Sequence, residues 1–271
     1  MRRDDYKGAV KVLHEIEANP SRYMVIHYSC ENFYDRTDGR SPRITSIAIR
    51  NYDTGQTVSF SIQKEAEVSG VDFESITENY NVLEKEMLKK YFSYISHHQD
   101  TIWLHWNMRD ENYGFGALEH RYKVLCHGTA KGLYVIQDAN KLDVARLMIK
   151  KYSVGYIGHP RLPSLLKKNH INAKDFLTGE EEALAFEEHN YIRLHQSTLR
   201  KVDVIANIIQ RAANDRLLVN SSFREIHGTD IEGLRQWLTS TTYGIFGLWL
   251  TGTVAGAILT HLVDKYLFFA K

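Results

Sequence analysis

Apolar residues recur at helical spacing over residues 4–18, with Ala9, Val12, Leu13 and Ile16 on one side. Asn19, Pro20 and Ser21 supply a stop. Three strand-like segments follow, Arg22–Ser29, Ile44–Asn51 and Thr57–Gln63. A hairpin-type turn at 52–56 joins the last two, and a polar loop, 35–42, separates the first two. The helical period returns over 82–98, through Val82, Leu83, Met87, Leu88, Tyr91, Phe92 and Ile95. Thr101–Trp106 is a predicted strand. Tyr113–Leu125, 140–150, 161–169 and a long segment at 197–216 are predicted helices. The last carries Leu199, Val202, Ile205, Ala206, Ile208, Ile209 and Ala212. Three strands, a helix, a strand and then mostly helices predict an α/β domain around a mixed sheet. No internal repeat or low-complexity linker interrupts the pattern.

One stretch breaks it. From Gln236 to Val263 there is no Asp, Glu, Lys or Arg. Its apolar part, 243–263, spans about 31 Å as a helix, the thickness of a hydrocarbon core. Trp237 and Tyr243 flank one end, and Asp264, Lys265 and Tyr266 the other, as suits two interfaces. The expectation is a transmembrane helix over 241–265, a connector over 217–240 and a short tail over 266–271. The large N-terminal domain is then expected in the cytoplasm, with the lipid bilayer as a partner. Gly252 and Gly256 form a GxxxG, and Gly247, Thr251 and Ala255 a second small row, which lets two helix backbones approach closely. Self-association through this helix is therefore expected.

Composition adds little to the picture. The 271 residues are 43% hydrophobic and 25% charged, which excludes a disordered chain. Net charge is +1, so no global attraction to nucleic acid or anionic lipid is implied. Lys150, Lys151, Arg161, Lys167 and Lys168 form a modest basic cluster that could meet a phosphate backbone or anionic lipid. Cys30 and Cys126 are too few for a disulfide scaffold and lack metal spacing, which fits reduced thiols. The N-terminus has no apolar segment of signal-peptide type. The acidic run Glu180, Glu181, Glu182 is expected to be a solvated helix face.

Candidate chemistry lies in the order of short motifs. Ser29-Cys30-Glu31 ends the first strand, and Ile44-Thr45-Ser46-Ile47-Ala48 opens the second. His105-Trp106-Asn107 leads to Asp110 and Glu111. The leucine pair Leu165-Leu166 and the run from His195 to Asp203 come later. In this order the motifs resemble those of the DEDD exonuclease superfamily over roughly 22–215. The resemblance implies a ribonuclease H-like fold (22–216), a 3′–5′ exonuclease ancestry and a site for two divalent ions. Such ions clamp the attacking and leaving oxygens of a phosphodiester. Mg²⁺ or Mn²⁺ there requires carboxylates from several elements. If active, the site implied is Glu31, Asp110, Glu111 and Asp203 with His195.

The match departs from the family at two places. Ser29 stands where an acid able to bridge both ions belongs. Arg200, or Lys201 with one inserted residue, stands at the last acid, where a cation repels metal. Other roles suit the acids: a strand-end pair for Glu31, a helix N-cap for Asp110 and a solvated helix face for Asp203. The expectation is a degenerate exonuclease-like domain with no metal or cofactor, on a membrane tail. It would be a pseudoenzyme whose clustered spans perturb the membrane in a bacterial defence or toxin-like module. The alternatives are an active membrane-tethered metal-dependent nuclease and a membrane adaptor that recruits a protein partner.

Overall fold

The computed structural model describes residues 2–31, 41–109, 113–227 and 242–268. A helix, α1 (Arg2–Ala18), precedes the central strand β1 (Tyr23–Cys30), and β2 (Ile44–Asn51) and β3 (Thr57–Ser61) complete a meander. Helices α2 (Ile62–Ser69) and α3 (Ile76–Ser96) cross to β4 (Ile102–His105), and α4 (Phe115–Leu125) crosses to β5 (Lys141–Asp143). Among the described residues the further helices are α5 (Val144–Tyr152), α6 (Arg161–Lys168), α7 (Gly179–Glu187), α8 (Tyr191–Ala213), α9 (Phe223–His227) and α10 (Thr242–Phe268).

The five strands lie in the order β3-β2-β1-β4-β5. β2 is antiparallel to both neighbours, whereas β1, β4 and β5 are parallel. This mixed sheet with flanking helices is compatible with a ribonuclease H-like fold. His105 pairs with Asp143, so β4 and β5 end level, and Ile26 pairs with His105, so β1 runs on past them to Cys30.

Every residue of β1 is buried, as expected of a central strand covered on both faces. Met24, Ile26, Tyr28 and Cys30 enter one core with α3 and α4. Tyr23 and Val25 enter the other, with Leu13 and Ile16 of α1, Leu147 of α5 and Val202, Ile205 and Ile209 of α8. His27 and Ser29 continue this second face. There the apolar series turns polar while remaining buried.

The elements differ from the sequence expectation where local signals were short. The third strand stops at Ser61, because Ile62 and Ala66, one turn apart, bury one side of α2. Gly70, at φ 66°, closes that helix in a left-handed cap, a conformation suited to glycine. β5 has three residues, too few to show alternation, and Asp143 ends it by capping α5 through the N–H groups of Ala145 and Arg146. α8 starts at Tyr191 because the Asn190 side chain caps Arg193 N.

α10 has 27 residues. Among the described residues no helix is long and apolar enough to cross a membrane. Ile245, Phe246, Trp249, Leu250, Val254, Ile258 and Leu259 are all exposed. At 100° per residue these positions fall all round the helix, so α10 has no single apolar face to dock on a core.

Candidate functional site

The polar end of β1 meets α8 and α7 in a buried hydrogen-bonded cluster. Ser29 Oγ donates to Glu182 Oε1 of α7 at 2.9 Å and lies 2.9 Å from Thr198 Oγ1 of α8. Ser46 Oγ of β2 is 2.6 Å from the same threonine hydroxyl. Ser197 Oγ donates to Glu182 Oε1 at 3.0 Å and accepts from Leu177 N at 3.1 Å. Lys201 Nζ stands 2.7 Å from Glu182 Oε1, with both side chains withdrawn from solvent (7% and 1% exposed). One carboxylate oxygen thus gathers an ammonium and two hydroxyl groups. A buried charge survives only with such compensation.

His27, two residues before Ser29 on the same strand face, is also buried. Burial, then the positive charge of Lys201, holds its pKa well below the usual histidine range, so the ring is neutral. Tyr113 Oη is 3.2 Å from His27 Nδ1 and donates to Tyr28 O at 3.1 Å. The same hydroxyl lies 3.4 Å from His27 Nε2, so it meets the imidazole between its two nitrogens. The same burial acts on the tyrosine, whose pKa is pushed well above the phenol range.

The donor set does not fit a pair of hard divalent ions. It offers four Ser and Thr hydroxyls, an imidazole and one carboxylate already paired with Lys201 Nζ, whereas Mg²⁺ requires several oxygen ligands of which carboxylates carry the charge. Among the described residues, no group of three His, Cys, Asp or Glu could hold a metal.

Of the residues singled out from the sequence, Ser29 and Lys201 belong to this cluster, and the other described ones make contacts of their own. Glu31 lies just past the strand end, where its N–H donates to Arg43 O at 2.8 Å. Asp203 is two residues from Lys201, a turn of about 200° around α8, and pairs with Arg50 of β2 at 3.0 Å. Arg200 shares that outer side and donates to Asn172 O at 3.1 Å. It is therefore Lys201, not Arg200, that faces the strand. His195 Nε2 meets Ser59 Oγ of β3 at 2.9 Å, and burial followed by the charge of Lys64 lowers its pKa. Asp110 and Glu111 lie outside the described residues.

The basic residues are also dispersed. Lys151 is buried, with its ammonium on the Ala212 carbonyl and 2.7 Å from Asp215, so it faces the core and not a phosphate backbone. Burial lowers its pKa, and Asp215 opposes that shift. Lys150 is exposed on α5, while Arg161, Lys167 and Lys168 belong to α6. On α10, Thr251 Oγ1 donates to Gly247 O at 3.0 Å. Gly252, Ala255 and Gly256 are exposed, and a Cβ added at either glycine meets no atom within 4 Å.

His27, Ser46, Glu182, Ser197 and Thr198 were not singled out by sequence reasoning. Glu182 in particular is the one member of an acidic triplet that turns inward, and a run of three glutamates gives no sign of which one. The only available signal was the pairing of polar His27 and Ser29 at strand spacing on a segment otherwise apolar.

A comparison of this chain with protein-family models, with curated proteins and with solved structures finds no match.

Proposed function

We propose that this chain is a membrane-anchored protein whose exonuclease-like domain, related to the DEDD superfamily, binds rather than cuts. The observation that carries this reading is the Lys201–Glu182 pair, which occupies the junction of β1 and α8 with an internal cation. In the family it resembles, that junction holds metal. Here an ammonium supplies the positive charge, and Ser29, which stands where the resemblance calls for an acid, donates to the same carboxylate. A fixed side-chain cation holds the helix on the sheet but leaves no open coordination position for a phosphodiester or an attacking water.

The second part of the proposal concerns α10. A 27-residue helix with exposed apolar side chains all round suits lipid better than water. Its small residues at four-residue spacing support association of two such helices. Together these favour an effector in which the domain senses a ligand or partner and clustered helices disturb the bilayer, as in a defence or toxin-like module.

Two measurements test the proposal. The full chain in detergent, given Mn²⁺ and labelled single-stranded DNA or RNA, is expected to cleave neither. Cleavage that disappears in both Glu31→Ala and Asp110→Ala would instead establish an active nuclease. Overproduction is expected to depolarise cells. Depolarisation that survives deletion of 242–268 would remove the membrane-perturbing role.

A further inference from the structure

A cavity of about 530 Å³ lies between the end of α1, the β2–β3 turn and the outer side of α8. None of its lining residues belongs to the Ser29–Lys201 cluster. Its volume lies in the range of small-molecule sites.

Five charged side chains line it: Glu17 of α1, Arg50 of β2, Asp53 of the turn, and Arg200 and Asp203 of α8. Two of them balance each other. Arg50 Nη1 stands 3.0 Å from Asp203 Oδ1 and donates to Gly55 O at 2.7 Å, which ties the turn to the helix. The other three have no partner of opposite charge. Glu17 accepts the Tyr52 hydroxyl and meets no cation among the described residues. Asp53, exposed at the turn, makes neither an ion pair nor a side-chain hydrogen bond among the described residues. Arg200 donates through Nε and Nη2 to the Asn172 carbonyl and meets no carboxylate among the described residues. That carbonyl fixes the guanidinium in place without neutralising it.

The residual charges are therefore of both signs, two negative and one positive. They arise on three elements that the fold brings around one space. Protein walls lower the local dielectric, so each charge attracts its complement more strongly than on an open surface. Between them the lining is aliphatic at Ile171 and Val204.

We infer that this cavity binds a basic amino acid, with its carboxylate on Arg200 and its two cationic groups on Asp53 and Glu17. Such a molecule carries two positive charges and one negative, the complement of the residual set. A guanidinium offers paired N–H groups to a carboxylate, and a methylene stem suits the aliphatic lining. An inorganic anion or a simple amine matches one sign only and leaves the other uncompensated. The inference goes beyond the membrane reading and stands whether or not α10 enters a bilayer.

Calorimetric titration of the full chain in detergent with arginine, lysine, agmatine and citrulline tests it. Saturable binding of arginine or lysine is expected. Agmatine lacks the carboxylate and citrulline has a neutral side chain, and each is expected to bind at least about tenfold more weakly. Asp53→Asn, at an exposed turn, is expected to weaken the basic amino acid at least about tenfold, whereas Asp100→Asn, outside the cavity, leaves it unchanged. Arg200→Gln is expected to lower arginine affinity to that of agmatine and to leave agmatine unchanged, which an unfolded variant could not do. No saturation up to ~1 mM by either amino acid overturns the inference, as does binding insensitive to Asp53→Asn. Agmatine that binds as tightly as arginine overturns it in favour of a site for organic cations.

Discussion

At the residue scale, the most consequential group is Lys201. Removing one member of a buried ion pair leaves its partner charged and dry, at a cost of about 3–5 kcal/mol. Lys201→Met is therefore expected to destabilise the domain by that amount in urea unfolding followed by tryptophan fluorescence. Adding Glu182→Gln removes the stranded charge while keeping an acceptor for Ser29 and Ser197, and is expected to restore most of the loss. Equal damage in the single and double variants would show that the pair is not the unit. Acidity probes the same region. His27 and His105 fold with pKa values below the ordinary 6.5, largely through burial, and His105 stands at about 4. The unfolded chain thus binds more protons than the folded one between these values. Stability is present above pH 6.5 and is lost as pH falls, by up to about 1.4 kcal/mol per pH unit for each ring. His195 acts in the same direction. Thermal midpoints measured from pH 7 to 5 should fall, and less steeply in His27→Gln. A flat profile would mean that the rings are charged in the folded state.

At the element scale, the short strand β5 and helix α5 are joined through one side chain. Asp143 caps α5 and pairs with Arg109. Asp143→Ala is expected to cost about 1–2 kcal/mol, mostly from the lost cap, while Asp143→Asn keeps the capping oxygen and costs less. Thermal midpoints of the two variants distinguish them, and equal shifts would place the effect in the charge. The same elements show what was legible. The long helices α1, α3 and α8 and the strands β1 and β2 announce themselves by sustained periodicity, because each must present a regular apolar face to a core. β5 and α2 do not. Three residues carry no period, and the alternation through Ser61, Ile62 and Gln63 is shared by a strand and a first helical turn. At the site, Ser29 and Lys201 were visible as departures from a motif, whereas their partner Glu182 was not. Its inward turn depends on the phase of α7 against the sheet, which an all-glutamate stretch does not encode.

At the scale of the whole molecule, the α/β domain closes its own cores, and α10 leaves its apolar side chains outside them. If α10 is the anchor, deletion of 242–268 transfers the chain from the membrane to the soluble fraction. Persistence in the membrane fraction would assign the anchor elsewhere. Gly252→Ile with Gly256→Ile is expected to reduce crosslinked dimers severalfold by keeping the helix backbones apart, while membrane partition is unchanged. Unaltered crosslinking would move any self-association to the domain.

By itself the sequence determined the alternation of strands and helices and the charge-free C-terminal run, and it supplied a resemblance to an exonuclease order of motifs with Ser29 and Arg200 or Lys201 where acids are expected. These are properties of neighbouring residues, and local periodicity and side-chain chemistry report them directly. The tertiary structure alone decided that Lys201, not Arg200, faces β1, that Glu182 meets it from another helix, and that Asp203 is turned away to Arg50. It also turned Arg200 of α8 toward the space that Glu17 and Asp53 line from α1 and the β2–β3 turn. Each of those outcomes depends on the rotation of a helix about its own axis against a sheet. That rotation is fixed by packing of the whole core, so residues far apart in the chain determine it together.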